Sequence, residues 1–129
     1  MAKAKSKDRR PPVAVAHVFL RTTDIHAAAD WLESVGMRMI FSGDDVSVLE
    51  LRGGTHAVVL PTRRKPRKGT EAPFDLMVDD LAATRRAFAA KGLKPGRIRK
   101  GHIHDTFDLV GPDGYVFEVT SSHAGRRAV

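Results

Sequence analysis

The chain has 129 residues, of which 42% are apolar and 29% charged, and its formal net charge is +7. This length and balance are those of one globular domain with a real core, and they exclude two independent domains. Cysteine is absent, which excludes disulfides, thiolate nucleophiles and cysteine-ligated zinc, so only His, Asp or Glu could hold a metal ion.

The positive charge is concentrated in two short segments. Residues 1–12 carry five Lys and Arg against one Asp, and residues 61–69 carry five more and no acid, so the rest of the chain is slightly acidic. We expect a flexible tail over 1–12 and a solvated linker over 62–72. Because no aromatic or recognition-helix pattern accompanies this charge, nucleic acid is not an expected partner.

Neither a membrane span nor a secretory signal is predicted. No segment approaches the roughly 18 apolar residues that a membrane-spanning helix needs. The first residues are basic but lack the apolar core of a secretory signal. The expected location is therefore the cytoplasm, and no membrane partner is expected.

The first predicted element is a strand, HVFLRT at residues 17–22, and a helix follows it. Thr23 or Asp24 can cap the first turn of this helix, and Gly36 can end it in the left-handed conformation. Its apolar stripe has helical spacing and consists of Ile25, Ala28, Leu32 and Val35. Three strand-like segments follow: MRMIFSG, DVSVLELRGG and THAVVLP. The pattern predicts a β-α-β-β-β module over about residues 13–61.

The same unit occurs a second time, because residues 17–37 align with residues 73–93 without a gap. The second copy has its own cap (Asp79 or Asp80), apolar stripe (Leu81, Thr84, Phe88) and terminal Gly92. The strand-like segments LKPGRIRKG, HIHDTFDLVG and GYVFEVTSS follow it. We therefore expect a second module over about 73–122, a short tail over 123–129, and one domain spanning 13–122.

A tandem of such modules, with DIHAAADWLESVGM early and GPDGYVFEV late, resembles the vicinal oxygen chelate superfamily. This superfamily includes glyoxalase I, bleomycin and fosfomycin resistance proteins, and extradiol dioxygenases. The most specific features are the gapless repeat, the strand HVFLRTTD, and the GPDG turn followed by Glu118. The resemblance implies an α+β fold in which a curled mixed sheet forms a cup, with helices outside and the ligand inside. It also implies a homodimer, often with the cup shared between two chains.

The resemblance further implies a metal site, of which only part is present in this sequence. The first-strand ligand matches His17 and the last-strand ligand matches Glu118, which is also the candidate catalytic residue. The second-module histidine falls on Pro73, and the glutamate of some members falls on Val59. A divalent ion such as nickel, zinc, manganese or iron would therefore need a further ligand, for which His104 is the first candidate and Asp75 the second.

Strand alternation predicts which other side chains face the cup. Arg21 would pair with Glu118 or Asp75, or hold an anionic group of a ligand. The predicted ligand-binding residues are Phe19, Arg21, Asp75, Met77, His104, Asp108 and Thr120.

Two functions of different class follow from this incomplete site. In the first, the protein binds a small organic molecule in a cup without metal, as resistance proteins do, and catalysis is left open. The second function is that of a metal-dependent lyase, isomerase or dioxygenase that acts on a substrate with vicinal oxygens. No phosphate-binding loop, nucleophile elbow or dinucleotide fingerprint is present to suggest a third.

Overall fold

The computed structural model describes residues 7–129, so part of the predicted basic tail, residues 1–6, lies outside the described residues. Within them the chain forms two α-helices and seven strands. In chain order these are β1 (His17–Thr22), α1 (Ile25–Ser34), β2 (Arg38–Ser42), β3 (Ser47–Glu50), β4 (His56–Pro61), β5 (Leu76–Val78), α2 (Leu81–Ala90), β6 (Thr106–Val110) and β7 (Val116–Ser121). Neither helix, at ten residues each, is long and apolar enough to cross a membrane.

The strands form two separate mixed sheets, one from each module. The first has the order β1-β4-β3-β2 and the second the order β5-β7-β6. In each sheet the strand before the helix pairs in parallel with the last strand of the module, and the other pairs are antiparallel. This arrangement confirms the predicted α+β fold with repeated modules. The two sheets of one chain are not hydrogen-bonded to each other and do not close into one barrel.

The two helices confirm the repeat residue by residue, because α1 and α2 have the same bounds in the aligned copies. Of the alternative caps, the second residue of each pair is the one used. Asp24 accepts from the backbone N–H of Ala27 at 3.0 Å, and Asp80 accepts from that of Ala83 at 3.0 Å. The residue just beyond each helix is in the left-handed region, with φ of 118° at Gly36 and 82° at Gly92.

One hydrophobic core lies between the helices and the sheets and is shared by both modules. The Trp31 ring on α1 lies 4.9 Å from the Phe117 ring on β7, which joins the first module to the second. In the second module the Phe88 ring on α2 meets the Phe107 ring on β6 edge to face at 6.1 Å. The largest fully buried apolar side chains are Leu20, Leu32, Leu49, Val59, Phe107, Leu109, Phe117 and Val119.

Two tight turns connect the modules across their surface. Asp113, in the Pro112–Gly114 turn, accepts from both the backbone N–H and the hydroxyl of Thr23 at 2.8 Å, just before α1. Burial acts to raise the pKa of the Asp113 carboxyl, but the hydrogen bonds from Thr23 and Thr22 and the Lys65 charge together outweigh it, so this pKa lies below its ordinary value. Arg52, in the first-module turn, makes an ion pair at 3.1 Å with Asp79, just before α2. Each turn therefore holds the helix start of the other module.

The predicted strand over LKPGRIRKG is not formed. Residues 93–105 make only an isolated bridge, in which Arg99 pairs with Thr106. Pro95 cannot donate a ladder hydrogen bond, and Lys94 has a φ of 57°, so a regular strand is interrupted there. β5 is also shorter than β1 and begins after Pro73. The predicted segment HIHDTFDLVG is a strand only from Thr106, so strand alternation does not apply to His104, which lies in a loop.

Candidate functional site

The outward side of the first sheet is an apolar face. Alternation along β1 directs Leu20 and Thr22 to the core and leaves Phe19 52% exposed. Phe19 on β1 is in register with Val58 on β4. The register continues through Val48 on β3 to Phe41 on β2, which is 54% exposed. A row of apolar side chains therefore crosses all four strands. We call it the first-sheet face; it consists of Phe41, Val48, Val58 and Phe19.

A polar row runs beside the first-sheet face, and it contains His17. The His17 ring lies 6.4 Å from that of His56, its register partner on β4. His56 is in register with Glu50, whose carboxylate is ion-paired with Arg38. The sequence pointed to His17 but not to the second imidazole beside it.

The first-module glutamate position matched to Val59 in the sequence needs correction. Val59 is fully buried on the core side of β4. β4 begins at His56 and β7 at Val116, so the position that corresponds to Glu118 is Val58, on the outward side. Neither valine can bind a metal, and the first module therefore supplies no carboxylate at this position.

The outward side of the second sheet carries a charged cluster organised around Arg99, beside exposed Met77 and Val110. Asp108 on β6 and Glu118 on β7 are register partners, and both are half-buried. The Arg99 guanidinium donates from Nη2 to Asp108 at 3.1 Å and to Glu118 at 3.4 Å. We call these three residues the second-sheet cluster. Sequence reasoning missed Arg99, because it lies in the segment where alternation fails.

The Arg99 backbone is fixed although it lies outside a regular strand. Its N–H donates to the carbonyl of Thr106 at 2.7 Å, and its carbonyl accepts from the Thr106 N–H at 3.0 Å. Nearby, the N–H of Gly96 donates to the carbonyl of Asp108 at 2.8 Å. Two neighbouring residues of β6 thus hold the segment that carries Arg99.

His104 and Met77 lie beside the second-sheet cluster. His123, which the sequence assigns to the C-terminal tail, lies there as well. His104 Nδ1 lies 3.1 Å from the Thr106 hydroxyl, and the His104 ring stacks on that of His123 at 4.7 Å. The backbone N–H of His123 donates to Met77 Sδ at 3.4 Å. Thr120, the register partner of both Met77 and Thr106, is buried.

Loop residues 99–104 and β6 line an open, shallow cavity of about 310 Å³. Lys100 at its rim is paired with Asp105 at 3.1 Å, and this ammonium lowers the pKa of the Asp105 carboxyl. No carboxylate is among the lining residues, which are Arg99, Lys100, Gly101, His102, Ile103, His104 and Thr106.

Several expected pairings are not formed. His17 and Glu118 lie in different sheets, and within residues 7–129 no hydrogen bond or ion pair joins them. Arg21 pairs with neither Glu118 nor Asp75 among the described residues, because the cation beside Glu118 is Arg99. Arg21 is instead exposed on β1.

The donors of a single chain do not fit a metal centre. Among residues 7–129 no group of three or more His, Asp or Glu side chains is close enough to hold an ion. Pro73 offers no donor where the resemblance implies a histidine, and Glu118 already carries a guanidinium. The roles of His17 and Glu118 as metal ligands therefore stay predictions.

A separate polar cluster lies outside both sheet faces. His26 Nε2 on α1 donates to Asp44 at 2.8 Å, and Ser42 Oγ lies 3.4 Å from the other ring nitrogen. The hydrogen bond to Asp44 raises the pKa of His26 above its ordinary value. The His26 and Asp44 side chains are largely exposed, and the cluster ties the β2–β3 turn to α1.

Comparison with known proteins agrees with this architecture. Residues 14–119 match the family model described as Glyoxalase/Bleomycin resistance protein/Dioxygenase superfamily. A glyoxalase/bleomycin resistance protein/dioxygenase from Alicyclobacillus acidocaldarius is 20% identical with a TM-score of 0.70, over 93% of this chain and 99% of that one. Lactoylglutathione lyase from Agrobacterium tumefaciens is 18% identical with a TM-score of 0.68, over 88% and 97%.

A bleomycin resistance determinant encoded on the transposon Tn5 is 20% identical with a TM-score of 0.64, over 85% of this chain and 98% of that one. No curated protein sequence gives a significant match. At these identities the solved structures show the fold alone.

Proposed function

Since the chain belongs to the glyoxalase/bleomycin resistance protein/dioxygenase superfamily, we propose that it binds a small organic molecule between its apolar and polar sheet faces. The observation that supports this most is the first-sheet face, where Phe19 and Phe41 are more than half exposed on the two edge strands. A continuous apolar row with an exposed aromatic residue at each end is typical of a surface that a ligand or partner covers.

A second copy of the chain is the proposed means of closing the cup. The two sheets of one chain expose separate outward faces and share no hydrogen bonds. In a homodimer, the first-sheet face of one protomer would lie opposite the second-sheet cluster of its partner. Such a cup would combine aromatic packing with a few placed polar groups, which is the usual composition of a small-molecule site.

The proposed recognition does not depend on a metal ion. The donor set of one chain does not fit one, as the pairing of Glu118 with Arg99 and the proline at residue 73 indicate. Phe19 and Met77 would then contribute apolar contact, with Arg21, Asp75, His104 and Thr120 as candidate polar contacts. The proposal assigns binding and no reaction.

The test is a thermal-shift screen of small aromatic and heteroaromatic compounds, followed by calorimetry on the compounds that raise the Tm. Burying the exposed half of a Phe side chain is worth about 1 kcal/mol, so F19A or F41A should weaken binding about fivefold. Val13→Ala is the matched control, since Val13 is exposed but lies outside the sheets. Ligands that bind F19A and F41A as tightly as the natural chain would contradict the proposed site.

The second candidate function is a metal-dependent lyase, isomerase or dioxygenase, and the adjacency of His17 and His56 favours it. Two neighbouring imidazoles are a usual start of a metal site, although within residues 7–129 they belong to no group of three or more side chains that could hold an ion. Elemental analysis after incubation with nickel, zinc, manganese or ferrous iron separates the candidates. Stoichiometric metal that is lost in both H17A and E118A would establish this second function over the first.

A further inference from the structure

We propose that Arg99 is the ligand-binding cation of the second-sheet cluster and that it takes an oxyanion group, carboxylate or phosphoryl, of a small organic molecule. The inference rests on the proposed function and narrows its substrate class to organic anions. It follows from three observations: the donors that Arg99 leaves unused, the side chains that line the adjoining cavity, and the way its backbone is held.

Arg99 has hydrogen-bond donors to spare. Both of its carboxylate contacts, to Asp108 and to Glu118, come from Nη2. Of the five N–H groups of a guanidinium, the three on Nε and Nη1 have no protein acceptor among the described residues. The side chain is 51% exposed, so a ligand can reach these donors.

The cavity beside Arg99 favours an anion. Arg99 and Lys100 line it together with His102 and His104, and no carboxylate does. Its volume of about 310 Å³ suits a small organic acid or the charged end of a larger molecule. The Thr106 hydroxyl, also in the lining, can supply a further hydrogen bond.

Asp108 and Glu118 act as positioning residues in this arrangement. Their carboxylates hold the guanidinium at Nη2. The reciprocal hydrogen bonds between Arg99 and Thr106 fix the backbone that carries this side chain. A guanidinium held in this way is a preorganised planar fork, which matches the paired oxygens of a carboxylate or phosphoryl group. A fixed organic cation thus stands beside Glu118, where the resemblance implied a metal ion.

The carboxylates also set the expected strength of binding. Asp108 and Glu118 carry two formal negative charges against the single positive charge of Arg99. This lowers the attraction for an anion, so an isolated small anion should bind no more tightly than a Kd of about 1 mM. Tighter binding would require the rest of the ligand to pack on the first-sheet face. Added chloride should weaken binding, because this site is open to solvent.

The experiment titrates the full chain with oxalate and, separately, with inorganic phosphate, at constant ionic strength, and follows amide and Arg Nε resonances by NMR. R99Q removes the cation, R99K keeps the charge without the fork, and R97Q is the matched control on the same segment. We expect shifts around Arg99, Gly101 and Thr106, at least tenfold weaker binding in R99Q, partial loss in R99K, and no change in R97Q. The probe that binds more tightly identifies the oxyanion class.

Equal binding in R99Q, or equal loss in R97Q, would overturn the inference. The inference would also be overturned if neither anion bound and the cation putrescine instead bound at Asp108 and Glu118. The amide spectra and Tm of R99Q and R99K show that each variant is folded, and R99K alone still separates charge from fork if R99Q is unstable.

Failure of the inference is distinguishable from failure of the proposed function. Compounds found in the thermal-shift screen are measured on R99Q as well as on F19A. Affinity that falls in F19A but not in R99Q would leave the cup in place and remove Arg99 from it. If oxyanion binding depends on Arg99 but F19A changes the affinity for no compound, the proposed cup is wrong and the anion site stands.

Discussion

The outward faces of the two sheets differ far more than the helices and core that support them. α1 and α2 have the same bounds in the repeat, the same capping acid and the same terminal glycine. Yet the first-sheet face is an apolar row, whereas the second-sheet face carries Arg99 between two carboxylates. Core packing constrains only the inward side of each strand, so the outward sides were free to acquire different chemistry.

Truncating a core residue shared by both modules should cause the largest loss of stability. It tests whether only the inward sides of the strands are constrained by packing. Phe117 is fully buried against Trp31 and Phe74. We expect F117A to lower the free energy of unfolding by about 3–5 kcal/mol in urea denaturation. The control is F41A, on the outward face, which should cost under about 1 kcal/mol. Similar losses in the two variants would mean that the outward row is part of the core.

Weakening the contact between Asp113 and Thr23, which joins the two modules, should cause an intermediate loss of stability. D113N keeps a residue that tolerates the left-handed φ of 56° but removes the charge that accepts from Thr23. We expect a loss of about 1 kcal/mol in the free energy of unfolding at pH 7.

The pH dependence has a definite sign, because the pKa of Asp113 is lowered in the folded protein. The stabilisation it gives is present above the unfolded pKa of about 3.9 and is lost as pH falls through the lower folded value. The difference between D113N and the natural chain should therefore shrink below about pH 4. A difference that stays constant down to pH 2 would show that the charge is not what Thr23 binds.

The smallest effect on stability is expected from the contact between His26 and Asp44, which has no counterpart in the second module. The aligned residue of α2 is Ala82, and no regular strand follows that helix where β2 follows α1. The pKa of His26 is raised by Asp44, so its contribution is present below about 6.5, the unfolded value, and is lost as pH rises through the folded pKa. NMR titration of D44N should return the pKa of His26 toward its ordinary value, and an unchanged midpoint would disprove the pairing.

Sequence reasoning succeeded where regular structure continued to the end of an element. The gapless repeat fixed both helices, and alternation along β1 and β7 placed Leu20, Phe117 and Val119 in the core and Phe19 outside. These predictions needed only periodicity and one buried side.

Sequence reasoning failed where the backbone departs from regular structure. Pro95 and the positive φ of Lys94 interrupt the expected strand, so no alternation rule could identify Arg99 as the cation beside Glu118. His123 follows the last strand and reaches His104 through chain reversal, for which the local sequence carries no periodic signal. Side-chain pairings across such segments depend on tertiary structure alone.

The reciprocal contacts of the two turns imply that the order of the modules along the chain is not essential to their association. Asp113 holds the start of α1, Arg52 pairs at the start of α2, and the Trp31–Phe117 packing lies between them. The largely exposed basic segment 63–68 makes no side-chain hydrogen bond to these residues among those the structure describes, and only the Lys65 charge acts on Asp113. A circular permutant opened there, with residues 7 and 129 joined by a flexible connector, should keep both sheet faces in place, because lengthening a surface connection costs little.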